Sequence, residues 1–203
     1  MSALEIDDLN HDADSEPEEA APTGQDASEI GQEAAVAAWA VAARPILENA
    51  ARSYQSVVTQ KELAAQVQED SDVRTRQQIR HWIGDVLAMV TADCASRSEP
   101  LLSALCVNAL GSVGDNYARD VEAATGVAPT EGDDHAAAQR LACYRQYEAV
   151  GLPEDGGFAA LTPRLAGTRD RARKARLAER VVPTCPDCFM ELAATGVCDN
   201  CLT

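Results

Sequence analysis

Cys185, Cys188, Cys198 and Cys201 form two C-x-x-C pairs separated by nine residues, and no other feature of this 203-residue chain restricts its folding so tightly. Each pair can make a tight knuckle whose backbone amides point at the sulfurs, and two knuckles close a tetrahedral thiolate site. The separation is shorter than the usual spacing of about fifteen to twenty residues, and Thr195-Gly196 is expected to supply the turn. The expected occupant is a structural Zn2+ ion in a zinc ribbon, with an iron–sulfur or redox-disulfide site as the alternatives. Four thiolates leave no open position for a bound water, which argues against a catalytic metal. A fragment as short as residues 183–203 cannot fold on apolar burial alone. Metal binding is expected to supply its folding free energy around Phe189, Met190, Leu192 and Val197.

The remainder reads as mainly α-helical. Hydrophobic residues make up 46% of the chain but aromatic residues only 4%. Much of the apolar content is alanine, which favours helix and buries little surface. No run of about 18 apolar residues occurs, and the acidic N-terminus is unlike a signal peptide, so a cytoplasmic protein without a membrane partner is expected. Seven cysteines, an odd number with four in metal-ligand spacing, argue against a secreted disulfide framework. Cys94, Cys106 and Cys143 read as buried thiols.

The formal charge of −16 is unevenly spread. Residues 1–34 hold eleven acids and no Lys or Arg, leaving 22 acids against 17 bases elsewhere. Residues 1–32 are expected to form a disordered acidic tail, because burial cannot offset the entropy of ordering them. Such a tail confers solubility, or mimics nucleic acid and competes with it for basic surfaces of the same protein.

From Glu33 an alanine-rich helix is expected, kinked or split at Pro45. Thr59-Gln60-Lys61-Glu62 is a capping-box pattern that opens a short helix through Leu63, Ala64 and Val67. A longer helix is expected from Val73 to Ala95, with Ile79, Trp82, Ile83, Val86, Leu87 and Val90 as its apolar stripe. Arg74, Arg76, Gln77, Arg80 and His81 would occupy its first turns, where bases oppose the helix dipole. Ser71 is a candidate cap for this helix. Residues 100–107 read as a strand, returning through Asn108, Gly111 and Gly114 as a β-hairpin. Helix, short helix, basic-tipped helix and small β-hairpin give a winged helix-turn-helix-like domain over 33–123.

Residues 124–163 read as a linker and an accessory helix capped by Asp133 or Asp134. Residues 164–182 form a basic helix, in which Arg164, Arg169, Arg171, Arg173, Lys174, Arg176 and Arg180 face only Asp170 and Glu179. Arginines pair bidentately with guanine and Gln77 with adenine, while cations such as Arg169, Arg171, Arg173, Lys174 and Arg176 neutralise phosphates. The bland alternative for both basic segments is a solvated helix face. No Walker loop, H-E-x-x-H motif or nucleophile elbow occurs, so no enzyme is expected.

Val57-Val58-Thr59-Gln60-Lys61-Glu62-Leu63-Ala64 and Ser112-Val113-Gly114-Asp115-Asn116-Tyr117 resemble the winged-helix DNA-binding domain of alkylguanine-DNA alkyltransferases and alkyltransferase-like proteins over residues 45–120. The family's Pro-Cys-His-Arg motif is missing, Ser103 lies near the place of its cysteine, and Cys106 is out of register. The resemblance implies a DNA-binding fold without alkyl transfer. Ala136 to Tyr144, Leu161-Thr162-Pro163, the final Cys-Pro-Asp-Cys-Phe and Thr195 to Asp199 resemble uncharacterised actinobacterial and phage proteins that end in a zinc ribbon. The resulting expectation is a non-enzymatic double-stranded-DNA-binding protein, a regulator or a factor of mobile elements or phage. The alternative is a protein-interaction adaptor using the acidic tail and the zinc ribbon.

Overall fold

The computed structural model describes residues 24–179 and, of the C-terminal segment, residues 184–190, 192, 198, 200 and 201. Seven α-helices are present among them: α1 (Ala27–Ile30), α2 (Gln32–Ala51), α3 (Gln60–Asp70), α4 (Ile83–Ser96), α5 (Asn116–Thr125), α6 (Gly132–Gln146) and α7 (Pro163–Glu179). Four two-residue strands, β1 (Gln25–Asp26), β2 (Val58–Thr59), β3 (Val73–Arg74) and β4 (Cys106–Val107), pair as β1 with β3 and β2 with β4, both in parallel. Short 3-10 turns occupy Ile79–His81 and Leu102–Leu105.

The alanines of α2 let other elements approach closely, and its buried face runs through Val36, Trp39, Ala43 and Leu47. Pro45 does not split this helix. Its ring and the side chain of Val41, one turn earlier, both face solvent, so water can satisfy the carbonyl that proline leaves without a donor. Trp39 packs on Trp82 with ring centroids 4.3 Å apart, and both are almost wholly buried. Leu63, Val67, Val86, Val90, Leu102 and Leu105 complete the centre of one continuous core.

The capping box forms as its residues require. The Thr59 hydroxyl accepts from Glu62 N at 3.2 Å while Glu62 accepts from Thr59 N at 2.8 Å. Five other expectations need correction. Residues 1–23 of the acidic tail lie outside the described residues, but residues 24–32 are structured. Gln25–Asp26 pairs with Val73–Arg74, Asp26 accepts from Ser28 N at 2.8 Å to cap α1, and Ala27 is buried. Tertiary pairing there overrides a composition that reads as tail.

The helix expected from Val73 begins ten residues later. Trp39 Nε1 donates to the Val73 carbonyl at 2.8 Å, Gln68 accepts from Thr75 N, and the Thr75 hydroxyl accepts from Gln77 N. Backbone groups engaged by side chains in this way hold the segment out of helix. Ser71 accordingly ends α3, its hydroxyl donating to the Val67 carbonyl.

The β-hairpin is absent among the described residues. Most of the expected strand is the buried 3-10 turn at Leu102–Leu105, and β4 pairs in parallel with β2 instead of turning back on itself. The Asn108 side chain accepts from Leu110 N and Ser112 N, closing a tight turn, and the chain then enters α5. Asp133 does not cap α6. It sits in the first turn and accepts from Ser112 Oγ at 3.1 Å and Val113 N at 3.0 Å, tying that turn to α6. Among the described residues no helix is long and apolar enough to cross a membrane.

Candidate metal centre and candidate nucleic-acid interface

Cys185, Cys188, Cys198 and Cys201 converge, their four Sγ atoms lying within 4.8 Å of one another. Cys185 and Cys201 are 3.8 Å apart and Cys188 and Cys198 are 3.4 Å apart. Metal–sulfur bonds of about 2.3 Å give a tetrahedron with edges of about 3.8 Å, so this cluster could hold a metal ion. Phe189 N donates to Cys185 O at 2.9 Å and Cys185 N to Met190 O at 2.8 Å, closing the first knuckle, with Phe189 at a left-handed φ of 57°.

The Met190 amide donates to Cys188 and, helped by the Cys198 thiol, pushes its pKa down to about 6. The amides of Cys188 and Asp187 lower that of Cys185. The neighbouring sulfurs, Cys188 foremost, push Cys201 up to about 12. The sulfurs thus share protons through hydrogen bonds, and a divalent cation would take the place of those protons. The expected miniature core is not formed by its two largest members, since Phe189 is 80% and Met190 58% exposed. Val197 and the Thr195-Gly196 turn lie outside the described residues.

Cys94, Cys106 and Cys143 are buried, and burial raises all three thiol pKa values, those of Cys106 and Cys143 to about 12. They are kept protonated and poorly nucleophilic.

The basic residues expected to contact DNA divide into three environments. Arg74 on β3 and Arg76 line a shallow surface shared with Asp26 and Glu69, and Gln77 is exposed beside them. On α7, Arg169 pairs with Asp134 at 2.7 Å and approaches Asp133 at 3.8 Å. Arg173 lies 3.7 Å from Asp170, whereas Arg171, Lys174 and Arg176 extend into solvent. His81 is exposed and accepts weakly from Arg80 Nε at 3.4 Å.

The third environment joins the two basic stretches of the sequence. Arg80, from the 3-10 turn before α4, and Arg164, in the first turn of α7, line one groove of about 730 Å³ together with Lys61 from the first turn of α3. No carboxylate belongs to this groove among the described residues. Glu62, next to Lys61, turns its carboxylate back to Thr59 instead. Val57, Ile79, Val107 and Pro163 give the groove an apolar floor. Its geometry depends on Thr162, whose hydroxyl donates to Gly111 O at 2.8 Å and accepts from Leu165 N at 3.4 Å, capping α7 with Pro163 in the first turn. Gly111 has φ +82° and a Cβ there would meet Thr162 Oγ1 at 2.2 Å, so glycine is required. Sequence reasoning missed Lys61 because a lone lysine inside a capping pattern carries no charge cluster.

Beside the groove, and sharing Gln60, Arg80 and Asn108 with it, lies a smaller cavity of about 210 Å³. Ser103 and Thr91 line it, with their hydroxyls 2.6 Å apart and buried. Comparison of the chain with protein-family models, with curated proteins and with solved structures finds no match.

Proposed function

We propose that this chain is a non-enzymatic protein that binds double-stranded DNA, with Zn2+ as the structural ion of its cysteine cluster. One observation carries the reading: a chain of net charge −16 gathers Lys61, Arg80 and Arg164 around a groove that has no carboxylate among its described lining residues. Phosphates entering such a groove release counterions and find donors already in place. α3 and α4 act in this reading as a helix-turn-helix pair without a wing, and Arg80 and His81 approach the duplex from a 3-10 turn instead of a recognition helix. Arg171, Lys174 and Arg176 on α7 extend the backbone contacts, while Arg74, Arg76 and Gln77 contribute less because Asp26 and Glu69 share their surface. The Ser103 hydroxyl is engaged by Thr91, which supports binding over covalent chemistry.

The test is a salt titration of binding to duplex DNA. Each phosphate contact contributes about −0.9 to the slope of log affinity against log salt. Replacing Lys61, Arg80 and Arg164 together by alanine is expected to flatten the slope by about 3. A slope near zero in the unaltered protein removes the proposal. A second reading, a protein-binding adaptor, is favoured by one observation, the exposure of Phe189 and Met190 on the cysteine knuckle. Charge reversal in the groove leaves that activity unchanged.

A further inference from the structure

The groove has two properties that a phosphate backbone uses unequally: a cationic rim and an apolar floor. Phosphates engage Lys61, Arg80 and Arg164 but leave Val57, Ile79, Val107 and Pro163 without an apolar partner. Leu110, in the turn next to Ala109 and Gly111 of the groove wall, is 59% exposed. The better complement is a chain segment in which carboxylates alternate with large aliphatic side chains.

Residues 4–7 of the protein, Leu-Glu-Ile-Asp, alternate in this way, and Asp8 and Leu9 add one further carboxylate and one further aliphatic side chain. Residues 1–23 carry eight acids and no Lys or Arg, and their large apolar residues are Met1, Leu4, Ile6 and Leu9, interleaved with Glu5, Asp7 and Asp8. We propose that residues 4–9 dock in the groove between α3, the 3-10 turn before α4 and α7, with Leu4, Ile6 and Leu9 on its apolar floor and Glu5, Asp7 and Asp8 facing Lys61, Arg80 and Arg164. The segment thereby occupies the surface assigned above to DNA, and the regulatory part of this inference rests on that reading.

The chain geometry favours an internal occupant. The described structure begins at Gly24, and Gln25 N donates to Asp72 O at 2.8 Å, just past the C-terminal end of α3. The groove lies at the other end of that helix. Eleven residues of α-helix span about 16 Å. Gly24 lies fifteen residues after Leu9, and a random coil of that length has a root-mean-square end-to-end distance of about 20 Å. Tethered binding is strongest when linker length matches the span, with effective concentrations in the millimolar range.

The two lysines of the chain, Lys61 and Lys174, make a direct test possible. Zero-length carbodiimide coupling of the full chain, followed by peptide mapping of the monomer, is expected to join Lys61 to Glu5, Asp7 or Asp8. The triple substitution Leu4→Ser, Ile6→Ser, Leu9→Ser leaves every charge in place and is expected to abolish that link. Tail links to Lys174 as abundant as those to Lys61 overturn the proposal, because attraction would then be non-specific. Persistence of the Lys61 link in the triple variant also overturns it, and so does a link found only in covalent dimers. Duplex affinity of the triple variant is expected to rise by roughly ten-fold. If the Lys61 link forms while no variant binds duplex DNA, docking stands and the DNA reading falls.

Discussion

The helical body and the cysteine segment obtain their order from different sources. In the body, Trp39, Leu63, Val86 and Leu105 are withdrawn from water into one core, and the short strands add only local clasps. In the cysteine segment the largest apolar side chains, Phe189 and Met190, stay in solvent, and four sulfurs provide the only convergence among the described residues. Burial of apolar area stabilises the first, and in the reading proposed above metal coordination stabilises the second. Exposed aromatic and thioether side chains are therefore compatible with an ordered knuckle, because its order does not depend on them.

The largest expected effect separates the two regions most sharply. Stripping metal with a chelator removes local folding free energy on the order of 10 kcal/mol from the cysteine segment. Residues around 184–201 should become protease-sensitive while the helical circular dichroism of the body is retained. Loss of the helical signal would show that the body leans on the cluster. Next in size is Trp39→Ala, which deletes the packing on Trp82 and the bond to Val73 O. It should destabilise the body by about 3–5 kcal/mol in denaturant unfolding, with one metal ion per chain still bound; a fall in metal content would break the distinction. The smallest is Thr59→Ala, which removes one half of the capping box and should lower the unfolding free energy of the body by about 1 kcal/mol. No change at all would mean that α3 is held by Leu63 and Val67 alone.

What could be read from the sequence follows the range of the interactions involved. The Thr59–Glu62 capping box and the two C-x-x-C knuckles are determined within a few residues, and both form where those residues stand. The cationic helix at 163–179 is equally local. Val73–Arg74 was not readable as strand, since its partners are Gln25–Asp26 and the Trp39 indole, both far away in the chain. The apolar stripe of Ile79, Trp82 and Val86 continues across the 3-10 turn into α4, which made one long helix look natural. The hairpin failed for a similar reason: Val58–Thr59, not the following residues, supplies the partner of Cys106–Val107. The groove combines both cases. Arg80 and Arg164 stand out in the sequence as bases, but only the Thr162–Gly111 contact brings their elements to one wall.

The two parallel strand pairs interlock along the chain, because β2 lies inside the loop closed by β1 and β3, and β3 lies inside the loop closed by β2 and β4. Each closure spans roughly fifty residues, at an entropic cost that must be met before the pairing can stabilise anything. Neither clasp can form alone as a finished subdomain. In a nascent chain emerging from the ribosome, β1 can pair with β3 once Arg74 is available, but β2 has no strand partner until Cys106 and Val107 have emerged. This topology places the body among slower-folding helical proteins despite its helix content. Its refolding rate should respond more to changes at the strand ends than at the exposed helix surfaces.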